Sequence, residues 1–404
     1  MTRPVPPRFA VSGTVALLAV VLVSINLRPG ASAIGPVLEE VRTSLGMGGG
    51  LAGLLTGLPG LCFALAGATA VRFARRVGTT GGIAIGLVAA AVGLLLRATT
   101  DSAAVFLVLS TLALAGMALG NVLVPAWIKR YGGTRQVRLA TVYGTGLVVG
   151  GSLGSLLAAP MSTALGGVDL ALGAWGLLLL PALALWGWLA FHERRNPAER
   201  LDDGLAPSGR VRSSPTAVAM AALFGIQSMH AYVQLGWLPQ VYRDAGLSPN
   251  YAGTLQALLA ATGIVGSLAM PTLIIRARTL SPYVVSFGVL LAAGYLGLLR
   301  APATVPWLWA LMLGVAGFAF PLAIALLPAR TRHPEVTAQL SGFVQPVGYL
   351  AAAAGPVLVG LLHEATGGWT LVLVLLAATA VPFTWAGLRA CRPVIVDDEL
   401  VAKT

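Results

Sequence analysis

Twelve apolar runs, each long enough to cross a bilayer, divide this 404-residue chain and leave it few folds to adopt. A membrane-spanning helix takes about 20 predominantly apolar residues. Between charged or turn-rich breaks, such runs lie at about 10–38, 50–71, 80–97, 103–128, 139–162, 168–191, 215–242, 251–275, 281–299, 304–328, 336–362 and 368–388. Only 10% of the residues are charged and 57% are hydrophobic, whereas a soluble domain carries about 25% charged residues. Water cannot solvate such a surface, so the first partner of the chain is the lipid bilayer. Inside hydrocarbon a helix bonds its own backbone groups. The expected fold class is therefore all-α integral membrane, with twelve transmembrane helices.

The basic residues fall on one side of that layout. With the N-terminus inside, 21 of the 26 Lys and Arg lie at inner ends or loops. Arg42, Arg97, Arg243 and Arg300 lie at outer ends, and Arg28 is left over. This bias predicts both termini in the cytoplasm of a cell (inner) membrane protein. The longest polar stretch, HERRNPAERLDDGLAPSGRVRSSP at 192–215, mixes both charge signs with Pro, Gly and Ser. It reads as a cytoplasmic linker over 192–214. Before it lies an N-terminal six-helix bundle (1–191), and after it a C-terminal one (215–404) with a short tail. Sliding the chain by 200 residues lays GGGLAGLLTGL (48–58) on SPNYAGTLQAL (248–258). Arg42 and Arg243 close the first helix of each half, and Arg97 and Arg300 close the third. Parallel repeats of this kind place substrate sites at the repeat interface near the midplane.

Several function classes drop out. The net charge of +12 is dispersed at the ends of apolar runs, so no nucleic-acid partner is expected. Cys62 sits in an apolar span and Cys391 in the tail, which predicts neither a disulfide nor a cysteine metal site. His192, His230, His333 and His363 lie on different helices or loops at different depths. No metal, cofactor or enzyme activity is expected from them. Arg3, Arg8, an apolar run and ASA at 31–33 imitate a secretory signal. Arg28-Pro29 beside that site and the spans beyond it argue against cleavage. Of the 14 acids, six lie at outer ends and eight inside, none mid-membrane. An exporter that carries protons on a buried carboxylate has no candidate here.

Motifs refine the reading. GATAVRFARR (67–76) resembles the major facilitator signature G-x-x-x-D-R-x-G-R-R through Gly67, Arg72, Arg75 and Arg76, the expected cytoplasmic gate motif. It departs from the pattern with Val71 in place of Asp and Ala74 in place of Gly; positive-inside charge alone explains the arginines equally well. NLRPG in the first span, GNVLVPAWIKR in the fourth, FGIQSMHAYVQLGWLPQ in the seventh and RTRHPEVTAQLSGFVQPVGYLAAAAGPVLVGLLHEATGGW around the eleventh resemble the cyanate and nitroimidazole transporter branch of that superfamily. The resemblance implies the major facilitator fold, two pseudo-symmetric six-helix bundles. It also implies movement of a small anionic or polar solute by alternating access.

The candidate solute-binding residues follow from spacing within those spans. The first apolar segment is about 43 Å long at 1.5 Å per residue, longer than the ~30 Å hydrocarbon core. Arg28 therefore either snorkels to the outer headgroups or faces a wet central cavity, where its planar fork suits a carboxylate-like or cyanate-like anion. Asn26 projects about 200° away from it on a regular helix, and joins the site only if the helix is distorted. Gln227, His230 and Gln234 form one stripe of the seventh span, and Ser341, Gln345 and Tyr349 another of the eleventh. Asn121 and Tyr143 are isolated polar groups in the fourth and fifth. Each of these alone is as readily a packing group. His230 is the one mid-membrane side chain that titrates near neutral pH, hence the proton-coupling candidate.

The expected function is a monomeric secondary or facilitative transporter, with or without protons. A multidrug or metabolite exporter is the alternative, and a non-transporting membrane sensor a remoter one. The topology is open to test. A reporter active only in the cytoplasm should work when fused at the C-terminus and stay silent after Thr366. The reverse pattern would overturn the twelve-span orientation.

Overall fold

The computed structural model describes residues 11–195 and 211–401, so most of the expected linker lies outside the described residues. Among the described residues, twelve helices are long and apolar enough to cross a membrane. In chain order they are α1 Gly13–Leu45, α2 Gly49–Val77, α3 Thr79–Arg97, α4 Ala103–Tyr131, α5 Gln136–Leu165 and α6 Val168–Glu193. The second set is α7 Pro215–Asp244, α8 Pro249–Arg276, α9 Ser281–Arg300, α10 Pro306–Ala329, α11 Pro334–Thr366 and α12 Thr370–Ala390. They form two pseudo-symmetric six-helix bundles, and among the described residues there is no strand.

Local chemistry sets many of the ends. Ser214 and Ser248 cap α7 and α8 by accepting from Ala217 N and Tyr251 N, each with proline next. Proline at the first helical position is pre-organised and forfeits no hydrogen bond. At the other end, Gly166 and Gly367 close α5 and α11 in the left-handed region, at φ 79° and 65°, which side chains bearing a Cβ disfavour. Both cysteines are free and buried. Burial pushes the Cys391 thiol up to about 11.

The two bundles meet mainly at one end. We call it the far end, opposite the basic end where Arg72, Arg75 and Arg76 stand exposed in the last turns of α2. A Cβ on Gly53 would sit 2.6 Å from Pro356 O, and one on Gly57 2.7 Å from Ala353 O. Only glycine lets α2 and α11 approach so closely. Gly253 of α8 lies against Ser155 O of α5 in the same way, and Gly35 of α1 against Leu235 O of α7. An ion pair reinforces the closure: Arg243 reaches Glu40 through Nη1 at 2.6 Å and Nη2 at 2.9 Å. The backbone N–H of Gly50 also donates to Glu364 at 3.3 Å. Away from that end, by contrast, a Cβ on Gly144 of α5, Gly263 of α8 or Gly342 of α11 would meet nothing within 4 Å, so the space between the halves opens toward the basic end.

A short tail helix, α13 Val396–Val401, ties the basic end of the second bundle together. Asp397 accepts from the backbone N–H of Arg332 at 3.1 Å and of His333 at 3.3 Å, and pairs with the His333 ring at 2.7 Å. Asp398 binds Arg332. Glu399 bonds Ser214, both the N–H and hydroxyl of Thr216, and Arg389. The two acids thus cap the N-termini of α11 and α7, where helix N–H groups lack partners. Burial alone would raise both carboxyls, but these hydrogen bonds outweigh it and hold Asp397 and Glu399 below the ordinary carboxylate range.

Groups with lowered folded values stabilise above their unfolded values, and that contribution fades as pH falls through the lowered ones. Tail docking should therefore be complete at neutral pH and weaken only below the ordinary carboxylate range. Glu399→Gln should cost about 1 kcal/mol, the scale of a lost cap. The check is a thermal melt of purified protein, expected to shift down by a few degrees at pH 7 and to converge with wild type in acid.

Candidate functional site

The polar groups of α1 explain the site. The helix is regular from Gly13 to Asn26, breaks at Leu27-Arg28, and resumes as the short turns Pro29–Ser32 and Gly35–Val37 before Leu38–Leu45. Pro29 donates no N–H and its ring disfavours a helical residue before it, which accounts for the break. Arg28 adopts φ −120° there. Breaking a helix frees carbonyls, and three are taken by side chains from three other helices. Arg97 of α3 donates to Gly30 O at 3.1 Å, Ser155 of α5 to Ser32 O at 3.2 Å, and Arg243 of α7 to Pro36 O at 3.1 Å.

Arg97 departs from the sequence expectation. Read as an outer-end cation, it is only 1% exposed, turned inward over the Phe106 ring at 5.7 Å. A helix-terminal arginine looks like an interface cation in sequence, and nothing in the chain marks it as a partner of NLRPG.

Between the bundles lies a cavity of about 370 Å³. Arg28, Phe63, Tyr232, Tyr349, Gln227 and Gln256 are among its lining, with Ser228 and Gln234. Arg28 is half-buried near the middle of its span, its guanidinium 5.6 Å from the Phe63 ring centre. Phe63 packs on Tyr349 at 5.4 Å, and Tyr349 on Tyr232 at 6.3 Å. No acid lines the cavity, and among the described residues no carboxylate pairs with Arg28. Gln227, Ser228 and Gln256 are almost fully buried in its wall, yet each has a side-chain oxygen without a partner.

Of the expected residues, the structure brings Arg28, Gln227 and Tyr349 to this cavity and leaves the others elsewhere. Asn26 bonds back to Leu22 O at 2.9 Å. Asn121 likewise bonds Met117 O, and Tyr143 donates to Asn121 at 3.2 Å, pinning α5 to α4. Gly144, its neighbour, is the one that lines the cavity, since successive helical residues point about 100° apart. Gln345 and Ser341 are outside the lining. His230 is corrected most sharply. It is 0% exposed and turned into the second bundle, with Nδ1 2.9 Å from the Tyr295 hydroxyl and Nε2 2.8 Å from Thr379 Oγ1. Gln234 bonds the same Tyr295 hydroxyl at 3.1 Å. The stripe on α7 therefore splits: Gln227 and Gln234 reach the cavity, while His230, about 60° around the helix from Gln227, packs against α9 and α12. Phe63, Tyr232 and Gln256 lay outside the sequence expectation: the first two are ordinary core residue types, and Gln256 is a lone glutamine in the eighth span.

With this geometry in view, the comparisons fall into place. A sequence model of the Major Facilitator Superfamily matches residues 20–356. The chain belongs to this superfamily. The uncharacterized transporter YycB of Bacillus subtilis is 31% identical over 93% of this chain and 93% of its own length. The 2-nitroimidazole transporter of Escherichia coli is 30% identical over 94% and 95%, and the cyanate transport protein CynX of the same organism 29% over 88% and 91%. The crystal structure of a D-xylose-proton symporter, 14% identical, superposes with a TM-score of 0.72 over 95% of this chain and 99% of that one. That likeness concerns the fold alone. As a superfamily member the chain is a transporter of small solutes and not an enzyme.

Within the superfamily frame, the relevant question about His230 is whether its proton serves transport. Both ring nitrogens are engaged by hydroxyls away from the cavity. His230→Ala should leave any response to an imposed pH gradient unchanged in proteoliposomes. It should lower thermal stability by about 1–3 kcal/mol, because two buried hydroxyls lose a partner. A pH response that disappears in His230→Ala would restore the histidine as proton carrier.

Proposed function

We propose that the chain moves a small, flat, anionic or polar solute across the cytoplasmic membrane by alternating access, with Arg28 binding the solute's charge. The observation that carries this reading is the arginine itself. An unpaired cation within a membrane span costs at least ~2.5–3.5 kcal/mol in lipid, and Arg28 instead faces a cavity that holds no acid. A solute with negative or strongly polar character supplies what the wall lacks. Guanidinium is suited to it, because its planar fork matches carboxylates and similar groups in two hydrogen bonds. The relatives named for cyanate and 2-nitroimidazole carry small, flat, conjugated solutes, in keeping with the same chemistry.

The far-end closure and basic-end opening support an inward-facing state, given that the positive-inside rule assigns the basic end and both termini to the cytoplasm. Rocking of the bundles would then break the Glu40–Arg243 pair and open the far end. In that cycle Arg72, Arg75 and Arg76, exposed on α2, with Gly67 in the same helix, would form the gate that meets the other bundle as the basic end closes. The aromatic wall lends an exporter of ring compounds some support. Its usual buried carboxylate is absent from the cavity lining among the described residues.

Of a panel of cyanate, benzoate and 2-nitroimidazole, Arg28→Ala should abolish uptake of every anion that wild type takes up in proteoliposomes, while the protein still purifies as one monodisperse species. Arg28→Lys should lose most of the uptake of anions, about tenfold or more, since an ammonium keeps the charge and loses the fork. Wild-type uptake by Arg28→Ala would show that the charge serves only the headgroups or the fold.

A further inference from the structure

The cavity is built for more than a point charge. Arg28, on the first bundle, has an aromatic floor beside it, in which Phe63 and Tyr232 each pack tilted against Tyr349 with ring centres 5.4 and 6.3 Å apart. Across from it, on α7 and α8 of the second bundle, stand Gln227, Ser228 and Gln256. They are 3%, 1% and 2% exposed, and their side chains enter none of the hydrogen bonds that satisfy the other buried polar groups of these helices. Gln234, by contrast, donates to the Tyr295 hydroxyl, and Gln240, whose Oε1 also lacks a partner, donates through its amide nitrogen to Asp244. Buried amides are normally bonded. Two unpartnered glutamines and a serine in one cavity wall mark a place where a partner arrives from outside the protein.

We infer that Gln227, Ser228 and Gln256 form a second subsite, and that the solute is a single-ring organic anion with a neutral hydrogen-bonding substituent across the ring from its charge. The inference rests on Arg28 as the charge partner proposed above. Three features point the same way. A triatomic anion would leave most of a cavity of about 370 Å³ filled with water, whereas pockets of roughly 300 Å³ and above enclose ring-sized ligands. The aromatic floor beside the guanidinium offers a flat face to a flat ring, and ring pairs favour offset or tilted contact. Finally, the charge site and the amide site lie on different bundles, so a solute spanning both would bridge the two halves. A shorter anion would touch only one of them. The ring length thus decides which solutes hold the halves together.

A matched set of four probes separates charge, ring and substituent: 4-hydroxybenzoate, benzoate, 4-hydroxybenzamide and cyanate. Their binding to purified full-length protein would be measured by titration calorimetry. In wild type, 4-hydroxybenzoate should bind tightest, benzoate about tenfold or more weaker, since sites built to bond a hydroxyl reject analogues lacking it, and cyanate without measurable heat. In the Gln227→Leu/Gln256→Leu double variant, 4-hydroxybenzoate should fall to the level of benzoate, and benzoate should be unchanged, which also reports an intact site. In Arg28→Gln, both anions should be lost, while 4-hydroxybenzamide, which has no charge to pair, should weaken far less. If the hydroxyl makes no difference in wild type, or cyanate binds as well as the ring anions, the second subsite fails and the arginine reading survives. If Arg28→Gln binds the anions normally, the proposed function fails. If neither ring anion binds wild type, the ring-anion inference is wrong.

Discussion

A carbonyl freed from its helix inside hydrocarbon has only the protein to bond to, and the broken segment of α1 frees three. Gly30, Ser32 and Pro36 are each met by a side chain from another helix, Arg97, Ser155 and Arg243. Without these donors the Arg28 turn would have unsatisfied backbone groups, at a cost of several kcal/mol each, and the helix would straighten through its length. The first two donors belong to the same bundle as α1. Arg243 comes from the other bundle, and its remaining donors hold Glu40. One arginine therefore serves both the break next to the site and the contact that closes the far end. The site and the closure share a partner, so a change at one is felt at the other through a real hydrogen bond.

The same constraint governs the close approach of the bundles. Gly53 and Gly57 face carbonyls of α11 at distances that no Cβ tolerates. In lipid, helices have no hydrophobic drive to associate and rely on tight packing of small residues. The glycine stripe supplies that packing at the far end. Toward the basic end α2 carries Arg72, Arg75 and Arg76 instead, and charged side chains of that length keep neighbouring backbones apart. One helix thus adheres at one end and is solvated at the other, which is the geometry a V-shaped cavity requires.

How much of this was legible in the sequence depends on whether a residue's role is set by its own helix or by another. Span lengths follow from local composition, and the helix bounds agree with them to within seven residues. The break at Arg28-Pro29 was likewise written in NLRPG. What the sequence could not show is where a side chain turns. Periodicity put Gln227, His230 and Gln234 on one stripe, but a stripe about 60° wide covers two environments when one edge meets the cavity and the other meets Tyr295 and Thr379. Asn121 and Tyr143 looked like isolated polar groups because their partner was each other, one helix away. Arg97 was misplaced for the same reason: its partner, Gly30 O, is 67 residues earlier in the chain.

Arg28 and Arg97 make the decisive contrast. Both are guanidinium groups within apolar spans, neither has a carboxylate partner, and each lies over a phenyl ring at 5.6 and 5.7 Å. Their difference is access. Arg97 is sealed at 1% exposed and its hydrogen bond goes to a backbone oxygen, so the protein has already assigned it. Arg28 is half-buried, faces the cavity and makes no hydrogen bond within the protein among the described residues. A guanidinium carries five donors and accepts nothing. In the alternating-access cycle proposed above, closing the bundles over Arg28 would require acceptors for those donors. A flat anion would bring two oxygens in the spacing of the fork and so lower the cost of closing over the site. Closure would then be easiest with the solute present, which is the coupling the proposed carrier needs.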